Sequence, residues 1–185
     1  MDGIRVALGE HFLDVVKQEL YRLKVQAERA VAQVRDDRAL HHRLDAESNS
    51  IAIIVRHLSG NMLSRWTDFL TTDGEKPGRN RDAEFAPPKE LTRAELMEDW
   101  EKGWACAFAT LDSLTPANLQ DTVRIRGEAF SAMEAMLRQL PHYASHVGQI
   151  VFLAKHLEWD RWQSLSIPRG QSSRPWPYKG TTENA

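Results

Sequence analysis

A single cysteine, Cys106, among 185 residues leaves no partner for an intrachain disulfide and fits a reducing compartment. No apolar run approaches the ~18 residues that a membrane-spanning helix needs. The opening residues Met1-Asp2-Gly3-Ile4-Arg5 lack the basic-then-apolar region of a secretory leader. The expectation is a soluble cytoplasmic protein with no membrane partner. Charge of one sign is missing too: 24 Lys and Arg face 26 Asp and Glu, for a net charge of −2, with no long block of either. That balance does not suggest a nucleic-acid partner. The chain also lacks a Gly-x-Ser-x-Gly elbow, a phosphate-binding P-loop, a dinucleotide fingerprint, internal repeats and low-complexity tracts. The length suits one domain over residues 1–185 with a sizeable core, ending in a loose tail over 180–185.

What is present is helical periodicity. The first pattern runs over about 3–34, with Phe12, Val16, Leu20, Leu23, Ala27, Ala30 and Val34 three or four apart. The second covers about 50–70 through Ile51, Ile54, Val55, Leu58, Met62, Trp66 and Phe69, with Asn49 as the expected N-cap. The third starts at a capping box, Thr92 with Glu95, and runs to Leu114. The fourth starts at a second box, Ser131 with Glu134, and runs to Leu157. Pro141 lies inside it and predicts a kink just before His142, which either aims that residue or is incidental. Four amphipathic helices need each other's apolar faces, so the predicted fold is all-α, a four-helix bundle with long connections.

Two connections stand out. Residues 71–91 are rich in Gly, Pro and charge, too long for a simple turn. Residues 122–127 alternate as a short extended arm or hairpin would. The tail beyond Glu158 carries Trp159, Trp162 and Trp176 among prolines and is expected to pack across the helices.

His142 and His146 stand four residues apart in the fourth pattern, so their side chains point the same way, about 40° apart around the axis. His57 occupies the edge of the second helix's apolar arc. Two imidazoles from one helix and a third from a facing helix would make a three-histidine divalent-metal site with an open position. The plainer alternative is a structural or surface pair. No glutamate stands beside the pair as in a His-Glu-x-x-His helix, so no base is built in. The other histidines, His11, His41, His42 and His156, fall among charges and read as solvated. Cys106 reads as a small packed residue.

Other polar residues share these faces. Asn61 falls about 40° and Arg65 about 80° from His57 on the helical wheel. Arg65 either snorkels and pairs with a carboxylate or lines a pocket for an anionic group. Gln149 lies on the strip of His142 and His146, either as a half-exposed amide or as a hydrogen-bonding partner for substrate. Within 71–91, Arg79 and Arg81 can hold an anionic substrate or thiol cofactor, and Glu84 or Asp82 can act as base if the loop folds over the metal. The alternative is a solvated surface.

Four stretches carry a family likeness. They are residues 50–61 with Arg56-His57-Leu58-Ser59-Gly60-Asn61, and 142–150 with His142-Tyr143-Ala144-Ser145-His146-Val147-Gly148-Gln149-Ile150. Residues 65–77, opening Arg65-Trp66-Thr67-Asp68-Phe69, and 162–172, opening Trp162-Gln163-Ser164-Leu165, add to it. On these the chain resembles the DinB/YfiT-like superfamily of metalloenzymes, in one of its uncharacterised branches. The resemblance implies a four-helix bundle, a homodimer, and a divalent metal (zinc, nickel, iron or manganese) held by His57, His142 and His146. It further implies a small-molecule substrate and either thiol-dependent S-transfer, with a low-molecular-weight thiol as cosubstrate, or hydrolysis. A non-catalytic dimeric bundle with a structural metal, or none, is the competing expectation. Six tryptophans also suit an interface.

Overall fold

The computed structural model describes residues 2–86 and 91–174. The chain is mainly helical, in the order α1 (Asp2–Val31), α2 (Ile51–Trp66), α3 (Arg81–Phe85), α4 (Arg93–Ser113) and α5 (Ala132–Leu157). A hairpin of β1 (Thr122–Ile125) and β2 (Glu128–Ser131) precedes α5, and 3-10 turns occupy Asp37–His41 and Pro116–Gln120. Both expected capping boxes form, at Thr92 with Glu95 and at Ser131 with Glu134. The cap of α2 is Ser50 rather than Asn49: its hydroxyl accepts from the Ile53 N–H at 3.3 Å. That helix also stops at Trp66, short of residue 70, because Thr67 leaves it in an extended conformation (φ −62°, ψ 127°) and Asp68 then turns the backbone to φ +49°. Phe69 keeps the apolar rhythm past the end by stacking on Trp66, with ring centroids 5.4 Å apart. α5 runs from Ala132 to Leu157 with Pro141 inside it.

α2 packs most extensively on α4, and α1 on α5; α2 also meets α5, and a smaller α1–α4 contact completes the ring. Ile51, Ala52, Ile53, Ile54 and Val55 are buried in succession, so the start of α2 is covered on all sides, while Leu63 farther along is 41 % exposed. Trp66, Trp100, Trp104 and Tyr143 are each at most 1 % exposed and are the largest side chains of the core. Buried aromatics of this kind each remove ~150–250 Å² from water.

Residues 71–86 are tied to the rest of the fold through Asp73, Gly74, Lys76 and Glu84, with Arg81 and Asp82 left exposed. The hairpin turns through Arg126 (φ +56°) and Gly127 (φ +78°), a two-residue turn whose second position suits glycine. The Asp73 carboxylate accepts from the backbone N–H of Arg126 (2.8 Å) and Gly127 (2.7 Å), and the Gly74 N–H donates to the Arg124 carbonyl at 2.8 Å. The chain then returns along α2: the Ser64 hydroxyl donates to the Gly74 carbonyl (2.7 Å) and accepts from the Lys76 N–H (3.1 Å). This strap ends in α3, which lies on α2 and is pinned there by the Arg56 guanidinium on the carbonyls of Ala83 and Ala86. In the tail, Trp162 packs partly against the core and Trp159 is 80 % exposed; Trp176 and the 180–185 tail lie outside the described residues. Among the described residues no helix is long and apolar enough to cross a membrane.

Candidate metal centre

α2 and α5 meet at the level of His57, and the i, i+4 pair on α5 faces it. One nitrogen from each of His57, His142 and His146 lies within 4.8 Å of the others. Ring centroids are 5.3 Å (His57–His142), 4.9 Å (His57–His146) and 4.8 Å (His142–His146) apart. His57 is buried, and the α5 pair is half-buried. Nε2 of His142 and Nδ1 of His146 are buried with no hydrogen-bond partner. Buried nitrogens without a partner are costly in a helical core. Three imidazoles converging on one point with two orphaned nitrogens fit a divalent ion in both donor type and spacing.

The electrostatics agree. Burial, reinforced by His146, His57, Arg65 and Arg79, pushes His142 down to about 4. Burial and His57 likewise lower His146, against an opposing contact from Gln149. At neutral pH the α5 pair is therefore held as neutral imidazole, the form that ligates metal.

Glu84 does not lie open at the site. It is 8 % exposed, and its Oε2 is 2.9 Å from Nδ1 of His57. Arg79 grips the same carboxylate from the other side, Nε to Oε1 at 2.7 Å and Nη2 to Oε2 at 2.8 Å. Burial opposes ionisation of Glu84, but the bonds from His57 and Arg79 outweigh it and hold the carboxyl below its ordinary value. Arg79 also reaches Glu75 at 3.5 Å, and Glu75 takes Arg65 (3.0 Å) and Arg126 (3.0 Å). Arg65 further donates to the Gly74 carbonyl. Of the three arginines considered for an anionic group, Arg65 and Arg79 thus face carboxylates. Arg81 is exposed, with its guanidinium 5.0 Å above the Phe85 ring, which itself lies 4.5 Å from the His57 ring. Asp82 is exposed on the first turn of α3.

Asn61 is buried and structural in its contacts: its Oδ1 accepts from the Tyr143 hydroxyl at 3.2 Å, and that hydroxyl accepts from Trp66 Nε1 at 2.9 Å. Gln149 sits on the exposed rim beside His146. His11, His42 and His156 are exposed as expected. His41 is a correction: it is half-buried and its Nε2 meets the Leu91 carbonyl at 2.8 Å. Cys106 is half-buried with Thr67 Oγ1 at 3.4 Å. A groove of ≈ 290 Å³ runs along the strap past Gly60, Ser64, Lys76, Arg79 and Glu84, and no histidine lines it.

Sequence reasoning missed Phe85, Glu75 and Gly60. The available signal for Gly60 was an isolated glycine in a helical pattern, one turn past His57. No curated protein and no solved structure matches the chain. The family described as proteins of unknown function, DUF1572, matches residues 7–171, a span that includes the three histidines, Glu84 and Arg79, and the chain belongs to that family.

Proposed function

We propose that the chain is a DinB/YfiT-like metalloenzyme: a four-helix bundle whose His57, His142 and His146 hold one divalent ion, catalysing transfer of a low-molecular-weight thiol to an electrophilic small molecule. The observation that carries the reading is the set of three ligand nitrogens within 4.8 Å, on histidines of which two also carry a buried, unpartnered ring nitrogen. A divalent ion there would supply Lewis acidity and favour deprotonation of a thiol or of water. Among the described residues no fourth His, Cys, Asp or Glu joins the cluster, which supports an open position over a closed structural clip.

The surroundings favour thiol transfer over hydrolysis. Hydrolysis profits from a free general base, whereas the Glu84 carboxylate is saturated by His57 and Arg79. Thiol transfer asks less of the protein, since a coordinated thiol is already deprotonated. Arg81, over Phe85 at the edge of the cluster, is the cation we assign to an anionic group of the thiol or substrate. To Gln149, exposed on the rim and in contact with His146, we assign a hydrogen bond to the incoming molecule. We further propose a cytoplasmic homodimer, supported by the lone free cysteine and by the exposed apolar side chains Ile4, Leu8, Phe152 and Trp159.

The test is a panel of biological thiols and alkyl or aryl electrophiles presented to protein reconstituted with zinc, nickel, iron or manganese. Metal-dependent thioether formation, lost in His142→Ala, is the expected result. Ester or amide cleavage without thiol consumption would move the assignment to hydrolysis. No turnover of either kind by fully metal-loaded protein would overturn it.

A further inference from the structure

Resting on the three-histidine reading, we propose that Glu84 is a positioning residue for the metal centre: it fixes the ring of His57, is itself fixed by Arg79, and reaches its place only because residue 60 is glycine. The argument starts from hydrogen-bond capacity. A neutral imidazole has one N–H and one lone-pair nitrogen. Both oxygens of Glu84 accept from the forked Arg79 guanidinium, so the carboxylate acts as acceptor and Nδ1 of His57, 2.9 Å away, carries the hydrogen. The lone pair is then on Nε2, the nitrogen left for the ion. Carboxylates that hold metal-ligating histidines in this way set both tautomer and ring orientation.

The carboxylate is not free to swing away. Arg79 meets both of its oxygens in a forked pair, at 2.7 and 2.8 Å, which fixes its plane. Asn80 caps the one-turn helix that carries it, accepting from the Ala83 N–H at 3.0 Å. Space is the second constraint. A methyl group built on Gly60 would lie 2.4 Å from Oε1 and 2.9 Å from Cδ of Glu84, with Cγ next at 3.4 Å. All three nearest atoms belong to Glu84. Glycine is a poor helix former, yet it stands in the middle of α2, one turn beyond His57. The bare backbone there makes room for one side chain, and that side chain contacts a metal ligand.

Three variants test this: Gly60→Ala, Glu84→Met, and the double variant Glu84→Met with Arg79→Met. The double variant keeps volume while removing both buried charges, so it carries the test if Glu84→Met alone fails to fold around a guanidinium that has lost its forked partner. Two readouts are taken. One is Zn(II) affinity by competition with a chromogenic chelator. The other is the ring tautomer of His57 in metal-free protein, from ¹H–¹⁵N correlation of the imidazole nitrogens.

Wild-type protein is expected to show the Nδ1–H tautomer at His57. Each variant that folds is expected to lose it as the dominant form and to bind zinc roughly 10–100-fold more weakly. Gly60→Ala is expected to lose thermal stability as well, since the methyl group displaces a buried carboxylate from its bonds to His57 and Arg79. The readout that a merely structural glycine would leave unmoved is the His57 tautomer. Unchanged zinc affinity together with an unchanged His57 tautomer in Gly60→Ala and in the double variant would overturn the proposal. If wild-type protein binds no zinc at all, the metal reading fails, and the tautomer of the metal-free ring still decides the role of Glu84.

Discussion

Directly behind the histidines, one hydroxyl ties three helical positions together. Tyr143 follows His142 on α5, donates to Asn61 and accepts from Trp66, and is fully buried. Burial raises its ionisation well above the ordinary tyrosine value, so it stays a neutral donor. Tyr143→Phe would keep the ring and strand two buried polar partners. A stability loss of about 1–3 kcal/mol is expected from urea denaturation; a loss indistinguishable from zero would mean that the two partners find other bonds. The histidines were legible at this scale because i, i+4 spacing is a property of one helix. Tyr143 was legible only as part of an apolar arc. Its partners sit 77 and 82 residues away in sequence on α2, a separation that carries no local signal. Glu84 shows the same limit. Its charge placed it in a loop of unknown course, and its partner could be named only once α3 was seen lying on α2.

Among the elements, those governed by local chemistry match their sequence readings best. Both capping boxes appear where Thr92 and Ser131 predicted them, and the alternation at 122–127 became a hairpin. The misses are competitions between neighbours: Ser50 rather than Asn49 caps α2, and Phe69 mimics helical rhythm from beyond the helix end. The strap was the least legible element because tertiary bonds organise it. Asp73 is its anchor. Bonds from the backbone of Glu75 and Gly127, with a further one from Arg126, hold its carboxyl below the ordinary value against the opposing effect of burial. As pH falls, the unfolded chain takes up this proton first, near the ordinary value of ~3.9. The stabilisation is therefore complete above that value and is lost as pH falls through it toward the lower folded value. Asp73→Asn should be less stable than wild type at pH 7, and the difference in thermal midpoint should shrink as pH is taken from about 4 downward. A gap that stays constant across that window would show that Asp73 acts through shape and not charge.

At the scale of the whole molecule, four amphipathic patterns were enough to anticipate an all-α chain, because each helix had one face to hide. Pairing was not legible: nothing local says that α2 takes the central place between α4 and α5. Association of two copies is proposed from what remains outside. Ile4 (76 % exposed), Leu8 (67 %) and Phe152 (60 %) are large apolar side chains left in water. Light scattering is expected to give twice the chain's 21.1 kDa at tens of micromolar; a monomer mass under those conditions would refute the dimer.

The central claim is that two helices bring His57, His142 and His146 to one ion. The direct measurement is metal content by mass spectrometry of protein purified without a histidine tag and titrated with zinc, for wild type and for His57→Ala, His142→Ala and His146→Ala. The account predicts one ion per wild-type chain, and none retained after desalting in each alanine variant that keeps its helical circular dichroism, since two imidazoles are too few for such a site. A folded alanine variant that still carries one ion per chain would contradict it.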